Sequence, residues 1–291
     1  MIPDVDNDSI VYLNGEYVRL GDAKVSVLDR GFIFGDGVYE VVPAYGGQPL
    51  RLAQHVARLQ RSLAKVRIAT GRSDADWTQL LTGMIARADA RICAVYLQVT
   101  RGVARRVHGF PQPTPSPTIF AMASPLARPS EQARTQGFSV VSMQDMRWLH
   151  CDIKSVSLLG NVLAKQHATE QGVDDVIQFR DDRLTEGSSS NVWVVAGGKL
   201  LAPPRDNLIL EGVRYAFLQE LARENGIPFE SRIILRHEVE AADELMLSSA
   251  TKEILPITQY DGRPVGSGKP GPVYAKLRAA YDTVIERLLQ G

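Results

Sequence analysis

Cys151-Asp152-Ile153-Lys154-Ser155 and, further along, Thr185-Glu186-Gly187-Ser188-Ser189-Ser190-Asn191 are the two stretches that decide how this chain is read. The first sets a lysine in an extended segment between apolar stretches. The second sets a carboxylate beside a run of small hydroxyl side chains and backbone donors. Singly, each has an ordinary explanation. A lone lysine is usually a solvated surface charge, which is the reading for Lys165, and a Thr-Glu-Gly-Ser run is usually a polar turn between strands. Together they pair an amine with an acid. An amine that forms a Schiff base needs a dry, positioned site, because its free pKa of ~10.4 keeps it protonated at neutral pH.

Composition bounds the remaining possibilities. A chain of 291 residues suggests about two domains and a core of ordinary size. The hydrophobic fraction of 44% and charged fraction of 23% argue against disorder. Lys plus Arg and Asp plus Glu both number 33, so no net charge draws the chain to nucleic acid or to an anionic membrane. No apolar run is long enough to span a bilayer, and Met1-Ile2-Pro3-Asp4-Val5-Asp6 lacks the basic and apolar regions of a signal peptide. The expected location is the cytoplasm. Cys93 and Cys151 give neither a disulfide framework nor a metal spacing.

The flanking segments mix strands and helices without strict alternation. Ile10–Leu13 and Tyr17–Leu20 flank Asn14-Gly15, a two-residue hairpin signal. Val38 to Tyr45 reads as a strand. A helix follows from Leu52, with Val56, Leu59, Leu63 and Val66 on one face, and another is expected over Asp74–Ala90. Ile92–Arg101, Thr118–Met122 and Phe138–Ser142 read as strands. Helices are expected near Leu158–Gln171, Val213–Asn225 and Pro272–Leu289, with Gly226 as a C-terminal cap. This pattern opposes a doubly wound parallel sheet, and Gly35-Asp36-Gly37 lacks the third glycine of a dinucleotide fingerprint. His55, His150, His167 and His237 carry no metal spacing and read as structural or surface residues. Trp77, Trp148 and Trp193 read as core or site-wall residues rather than a nucleic-acid platform.

Cys151–Ser155, Leu158-Leu159, Asn161-Val162-Leu163-Ala164-Lys165-Gln166 and Thr185–Asn191 together resemble the signature of class IV pyridoxal-phosphate aminotransferases. These fold-type IV enzymes include D-amino acid aminotransferases, branched-chain aminotransferases and aminodeoxychorismate lyases. The resemblance covers nearly the whole chain. Asp29-Arg30-Gly31, Phe34-Gly35-Asp36-Gly37-Val38-Tyr39-Glu40, Gln98-Val99-Thr100-Arg101-Gly102 and above all Arg106-Val107-His108 are most similar to the bacterial D-amino acid enzymes. The resemblance implies an α+β fold of two domains with mixed sheets and the cofactor between them. Expected boundaries are a small N-terminal domain over 1–126, a linker over 127–134 around Arg128-Pro129-Ser130, and a larger cofactor-binding domain over 135–291.

It also implies roles. Lys154 would carry the pyridoxal 5'-phosphate and shuttle the α-proton. Glu186 would pair with the ring nitrogen, making the ring an electron sink, and Leu210 would pack on the ring. Arg58, Ser189, Val213, Arg214, Ser249 and Ala250 match cofactor-binding positions, with the start of the helix after Gly212 suited to a phosphate. Arg214 and Ala250 stand where D-amino acid aminotransferases of the best-known type have threonines. Ala250 therefore offers only its N–H, while Arg214 either supplies a charged contact or turns away. Arg106 and His108, completed by Tyr39, match the trap for the substrate α-carboxylate. In the family that trap reaches the site from a second subunit, so a homodimer acting on amino acids and 2-oxo acids is implied. The expected reaction moves an amino group between D-amino acids and 2-oxo acids. Alternatives on the same fold are a branched-chain L-amino acid or (R)-amine aminotransferase, or an aminodeoxychorismate-type lyase. A binding-only descendant is disfavoured by intact Lys154 and Glu186.

Overall fold

The computed structural model describes residues 6–290, so Met1–Val5, on which the reading of the N-terminus partly rests, lie outside the described residues. The strands in chain order are β1 Ile10–Leu13, β2 Glu16–Arg19, β3 Gly37–Tyr45, β4 Gln48–Pro49, β5 Ile92–Thr100, β6 Thr118–Pro125, β7 Phe138–Gln144, β8 Asp175–Arg180, β9 Arg183–Leu184, β10 Asn191–Ala196, β11 Lys199–Ala202, β12 Phe229–Ser231, β13 Glu244–Ser249, β14 Glu253–Tyr260 and β15 Arg263–Pro264. The α-helices are α1 Arg30–Phe34, α2 Leu52–Val66, α3 Asp74–Ile85, α4 Glu131–Gln136, α5 Leu159–Glu170, α6 Val213–Glu224, α7 Arg236–Glu240 and α8 Pro272–Gln290. The architecture is α+β, divided into two compact units.

The first unit takes in the described residues up to Ala127, together with Ile153–Ser157 and the chain end from Leu288. Its sheet runs β2-β1-β6-β5-β3-β4 and every pairing is antiparallel. Asn14 and Gly15 both take positive φ, as the tight turn between β1 and β2 requires. Val42, Val95 and Leu97 from the strands, Val56, Leu59 and Leu63 from α2, and Trp77, Leu81 and Met84 from α3 form one buried cluster. Each such side chain contributes about 1.5–3 kcal/mol on burial. α3 opens on a capping box, Ser73 with Asp76. It ends at Ile85 rather than running to Ala90. Tighter turns close it, with Arg87 N donating to Met84 O and Ala88 N to Ile85 O, while the Arg87 guanidinium takes the Gly83 carbonyl.

The second unit holds residues 128–152 and 158–287. Its sheet runs β12-β11-β10-β13-β14-β7-β8-β9, with β15 beside β14. Three pairings are parallel, β11 with β12, β14 with β7 and β7 with β8, and the rest are antiparallel, so the sheet is mixed. Val140, Ile177, Phe179, Val194, Leu245, Leu247 and Ile257 fill its core. Within the stretch expected as a linker, Ser130 caps the short helix α4 through Ala133 N. Gly226, just past α6, has the positive φ that a helix-terminating glycine supplies. Trp77 and Trp193 are fully buried in their units, whereas Trp148 is half exposed.

Candidate active site

Lys154 lies within the 135–291 segment, yet its backbone belongs to the first unit. Tyr39 N donates to Lys154 O at 2.9 Å, Val156 N donates to Gly37 O at 3.0 Å, and Ser155 bridges Val38 in antiparallel fashion. The lysine segment is thus laid along the edge of β3. Lys154 Nζ stands 3.9 Å from the centroid of the Tyr39 ring, where the ring face favours a cation. The amide of Lys154 donates to Ser62 Oγ at 3.3 Å, which brings α2 alongside. One turn back on the same helix face is Arg58, as the four-residue spacing dictates. Arg58 donates from Nε and Nη2 to Glu40 at 2.7 and 2.8 Å, and His55 Nδ1 donates to the same carboxylate at 2.8 Å. Burial opposes ionisation of Glu40, but Arg58 and His55 outweigh it and hold the carboxyl well below its ordinary value. Sequence reasoning had no role for Glu40 and left His55 as structural or surface. The only signal was the spacing of His55 and Arg58 on one helix face.

In the second unit, Glu186 is almost fully buried. One of its oxygens meets Arg147 Nη1. The other accepts Leu210 N at 3.0 Å and Asn191 Nδ2 at 3.4 Å. Arg147 is itself fixed by Asp145, Nε to Oδ1 at 3.0 Å and Nη2 to Oδ2 at 2.8 Å, and Thr185 Oγ1 donates to Asp145 at 2.9 Å. Burial pushes the Glu186 carboxyl up from its ordinary value, against the pull of Arg147 and the Leu210 amide. The serine run is a built turn: Gln178 Nε2 donates to Gly187 O, Asn161 Nδ2 to Ser188 O and Lys252 Nζ to Ser190 Oγ. Ser188 and Ser190 are buried, while Ser189 is exposed. The Asn191 side chain also donates to Leu210 O at 2.9 Å. A Cβ on Gly212 would come within 2.2 Å of Asn191 Oδ1, so a larger residue there would displace the Asn191 side chain. Arg147 and Asp145 were not singled out from sequence.

Gly212 precedes α6 with no side-chain cap, leaving the N–H groups around Val213 for another acceptor. Arg214, the second residue of α6, is 2% exposed. Its Nε donates to Tyr281 Oη at 2.9 Å and its Nη2 to Ala250 O at 3.3 Å, and Nη1 is buried with no hydrogen-bond partner among the described residues. Arg214 therefore turns inward, toward Ala250. Ser249 and Ala250 lie at the turn that joins β13 to β14, with Ser249 Oγ accepting Lys252 N at 3.1 Å. An uncapped helix start and an orphaned buried guanidinium N–H fit an anionic phosphate group.

Arg106 and His108 lie exposed on the loop between β5 and β6. The structure brings them together at Phe34: the His108 ring is 5.3 Å and the Arg106 Cζ 5.4 Å from that ring's centroid. Tyr39 stands with Lys154 and Tyr96 rather than with this pair. Among the described residues no group of His, Cys, Asp and Glu side chains has the arrangement of a metal site, and no helix is long and apolar enough to cross a membrane.

Residues 37–260 match the model of the family described as amino-transferase class IV. The D-alanine aminotransferase of Staphylococcus haemolyticus is 36% identical over 276 residues, covering 95% of this chain and 98% of its own. That of Bacillus licheniformis is 38% identical over 275 residues, covering 94% and 96%. Among solved structures, the branched-chain amino acid aminotransferase of Escherichia coli superposes with a TM-score of 0.90 at 24% identity, covering 96% of this chain and 95% of that one, a likeness of fold. A fold IV-transaminase from Curtobacterium pusillum superposes at 0.78 with 28% identity, covering 91% and 92%. The cofactor of this class is pyridoxal phosphate, which the Lys154, Glu186 and Arg214 surroundings suit. With a family model matched across both units and full-length relatives at this identity, the chain belongs to the class IV aminotransferases and is a transaminase.

Proposed function

We propose that this transaminase moves an amino group between D-amino acids and 2-oxo acids, with D-alanine and D-glutamate as the type of donor and product. The observation that carries this reading is the Arg106–His108 pair, converging on Phe34 from a loop of the kind that the resemblance assigns to D-amino acid enzymes and not to branched-chain enzymes or lyases. The relatives named D-alanine aminotransferase support it.

When bound, pyridoxal phosphate supplies an electron sink for the charge left at the substrate α-carbon. Lys154 would hold it covalently, and Lys154 Nζ would take the α-proton and return it. The Tyr39 ring face steadies the ammonium form between those transfers. Glu186, whose oxygens are fixed by Arg147, Asn191 and the Leu210 amide, would pair with the ring nitrogen. Arg58, Arg214, the α6 start with Val213, and the turn holding Ser249 and Ala250 would serve the phosphate, and Ser189 and Leu210 would complete the cofactor's surroundings. Arg106, His108 and Tyr39 take the α-carboxylate through charge-assisted hydrogen bonds.

The working assembly is a homodimer in which each subunit lends its trap to the other's site. Exposed apolar side chains support this: Phe32 (76% exposed), Val27 and Val107 near the trap, and Leu159, Val162 and Leu163 on one face of α5. The cytoplasm suits Cys93 and Cys151, both buried and unpaired. The test is direct. Purified protein with pyridoxal phosphate and 2-oxoglutarate is given D- or L-amino acids separately, and oxo-acid formation is followed. Turnover of D-alanine with no L-alanine turnover is expected. Preference for branched L-amino acids would replace this reading with the branched-chain alternative.

A further inference from the structure

Arg30 is 3% exposed and occupies the start of α1, where Asp29 caps the helix by accepting Gly31 N. Asp29 also accepts hydrogen bonds from the hydroxyls of Thr100 and Thr118 at 3.0 and 2.6 Å, so α1 is pinned to the ends of β5 and β6. From that fixed position Arg30 holds the start of the loop that carries Arg106 and His108 and the stretch just beyond Arg106. Its backbone N donates to Gly102 O at 3.0 Å, where the loop leaves β5. Its side chain donates from Nη1 to Val107 O at 2.6 Å and from Nη2 to His108 O at 3.4 Å. Val107 N donates to Arg105 O at 2.8 Å, a three-residue turn with Arg106 at its apex. One planar fork therefore spans two consecutive carbonyls directly beyond the residue it presents. A flexible ammonium has no such geometry.

Arg30 is in turn oriented. Its Nε donates to Asp36 Oδ2 at 2.8 Å, and the same carboxylate takes Arg101 Nε at 2.7 Å and Nη2 at 2.9 Å. Burial alone would raise Asp36, but the hydrogen bonds from Arg101 and Arg30 outweigh it and hold the carboxyl below its ordinary value. Arg101 reaches the carbonyls of Val66 and Arg67 at the end of α2, at 2.7 and 3.0 Å. It also lies 3.9 Å from the Phe110 ring, which Arg67 approaches at 4.6 Å. Thus the loop is fixed at Gly102, at Val107–His108 and at Phe110, each time by a buried or stacked arginine tied to Asp36 or to α2.

We infer that Arg30, oriented by Asp36 and Arg101, is a positioning residue that sets Arg106 and His108 for the substrate α-carboxylate. It touches no substrate, and its effect passes through the loop backbone. The inference rests on the reading that Arg106 and His108 bind that carboxylate. Lysine at position 30 keeps the charge beside Asp36 but cannot bridge two carbonyls.

The experiment compares wild type, Arg30→Lys, Phe110→Leu, Arg106→Ala and the Arg30→Lys/Arg106→Ala double variant, all as holoenzyme. The readouts are KM and kcat with D-alanine and 2-oxoglutarate, the dissociation constant of propionate followed by the cofactor's absorption, and the dissociation constant of the cofactor itself. Arg30→Lys should raise KM and the propionate constant roughly tenfold, with kcat and cofactor affinity within about twofold, the scale of one weakened charged contact. In the double variant Arg30→Lys should add nothing beyond Arg106→Ala. Phe110 is partly exposed, so Phe110→Leu is the variant that tests the loop should Arg30→Lys not fold, and it should raise KM severalfold in the same direction. If Arg106→Ala raises KM while Arg30→Lys or, in its place, Phe110→Leu leaves KM and propionate binding unchanged, the positioning role is overturned and the carboxylate reading stands. Equal losses in carboxylate binding, kcat and cofactor affinity would also overturn it, as a general structural defect. If Arg106→Ala leaves carboxylate binding unchanged, the underlying reading of the trap fails instead.

Discussion

Replacing Arg214 by methionine isolates what a buried guanidinium does for the cofactor. Methionine keeps the apolar stem and its packing against the start of α6 but removes all donors. Three hydrogen-bonding positions change at once. The bonds to Tyr281 Oη at 2.9 Å and Ala250 O at 3.3 Å are lost, and so is the orphaned Nη1. The first two act on stability, at about 1–3 kcal/mol for buried groups left without their partner. The third would meet the cofactor's phosphate under the proposed function, and a charge-assisted bond contributes about 1.5–3 kcal/mol, or roughly 10- to 100-fold in a dissociation constant. The assay separates the two by measuring binding of pyridoxal phosphate and of pyridoxal, which lacks the phosphate, through the absorption of the covalently held form. Arg214→Met should weaken pyridoxal phosphate by that factor and leave pyridoxal within about twofold. Arg214→Thr, which restores a neutral donor, should fall between wild type and methionine. Equal weakening of both ligands would refute the reasoning and leave Arg214 a structural residue, as would no weakening of either.

Three further outcomes are expected. Lys154→Ala should lose the borohydride-reducible link to the cofactor, and a link retained at wild-type level would move the attachment elsewhere. Glu186→Gln should lower the single-turnover rate far more than it weakens cofactor binding, by roughly the 10²-fold typical of removing one preorganised electrostatic partner; a near-normal rate would place the ring-nitrogen partner at another residue. Asp36→Asn should cost about 1–3 kcal/mol at pH 7, read as a lowered Tm. Its folded carboxyl titrates below the ordinary value of 3.8, so its contribution is present above that pH and disappears as pH falls through the folded value. The Tm gap between variant and wild type should therefore narrow in acid, and a gap that widens below pH 4 would contradict the Arg30–Asp36–Arg101 assignment.

Local signals were legible where local chemistry decides the outcome. Asn14-Gly15 and Gly226 sit at positive φ because the turn and the helix end demand it, and no distant residue is needed to see this. The apolar face of α2 was legible from spacing alone, with Val56, Leu59 and Leu63 buried as expected. The end of α3 was not, since Arg87, Ala88 and Ala90 are all good helix formers and only the tightening turns after Ile85 stop the helix. The setting of Lys154 was also hidden. Its segment pairs with β3 across more than a hundred residues of chain, and no pattern around Cys151–Ser155 announces that partner. The resemblance supplied Arg58 as a phosphate residue, and the structure adds that two of its nitrogens serve Glu40.

What escaped sequence reading has a common chemistry. Glu40 with Arg58 and His55, Asp145 with Arg147 beside Glu186, and Asp36 with Arg30 and Arg101 are all carboxylate–arginine groups largely removed from water. Such pairs add little net stability, because desolvation consumes most of the Coulombic gain, so cohesion does not explain three of them. Orientation does. A guanidinium tied to a carboxylate has its remaining N–H directions fixed: Arg147, held bidentate by Asp145, reaches Glu186, and Arg30, held through Nε by Asp36, reaches the Val107 and His108 carbonyls. A lysine in either position would satisfy the charge and lose the direction. The composition, with 33 basic and 33 acidic residues, gives no hint of this, because the same charges on the surface would read identically. It is the burial of the carboxylate beside a reactive or substrate-facing group that turns an arginine from a solvated charge into a fixed strut.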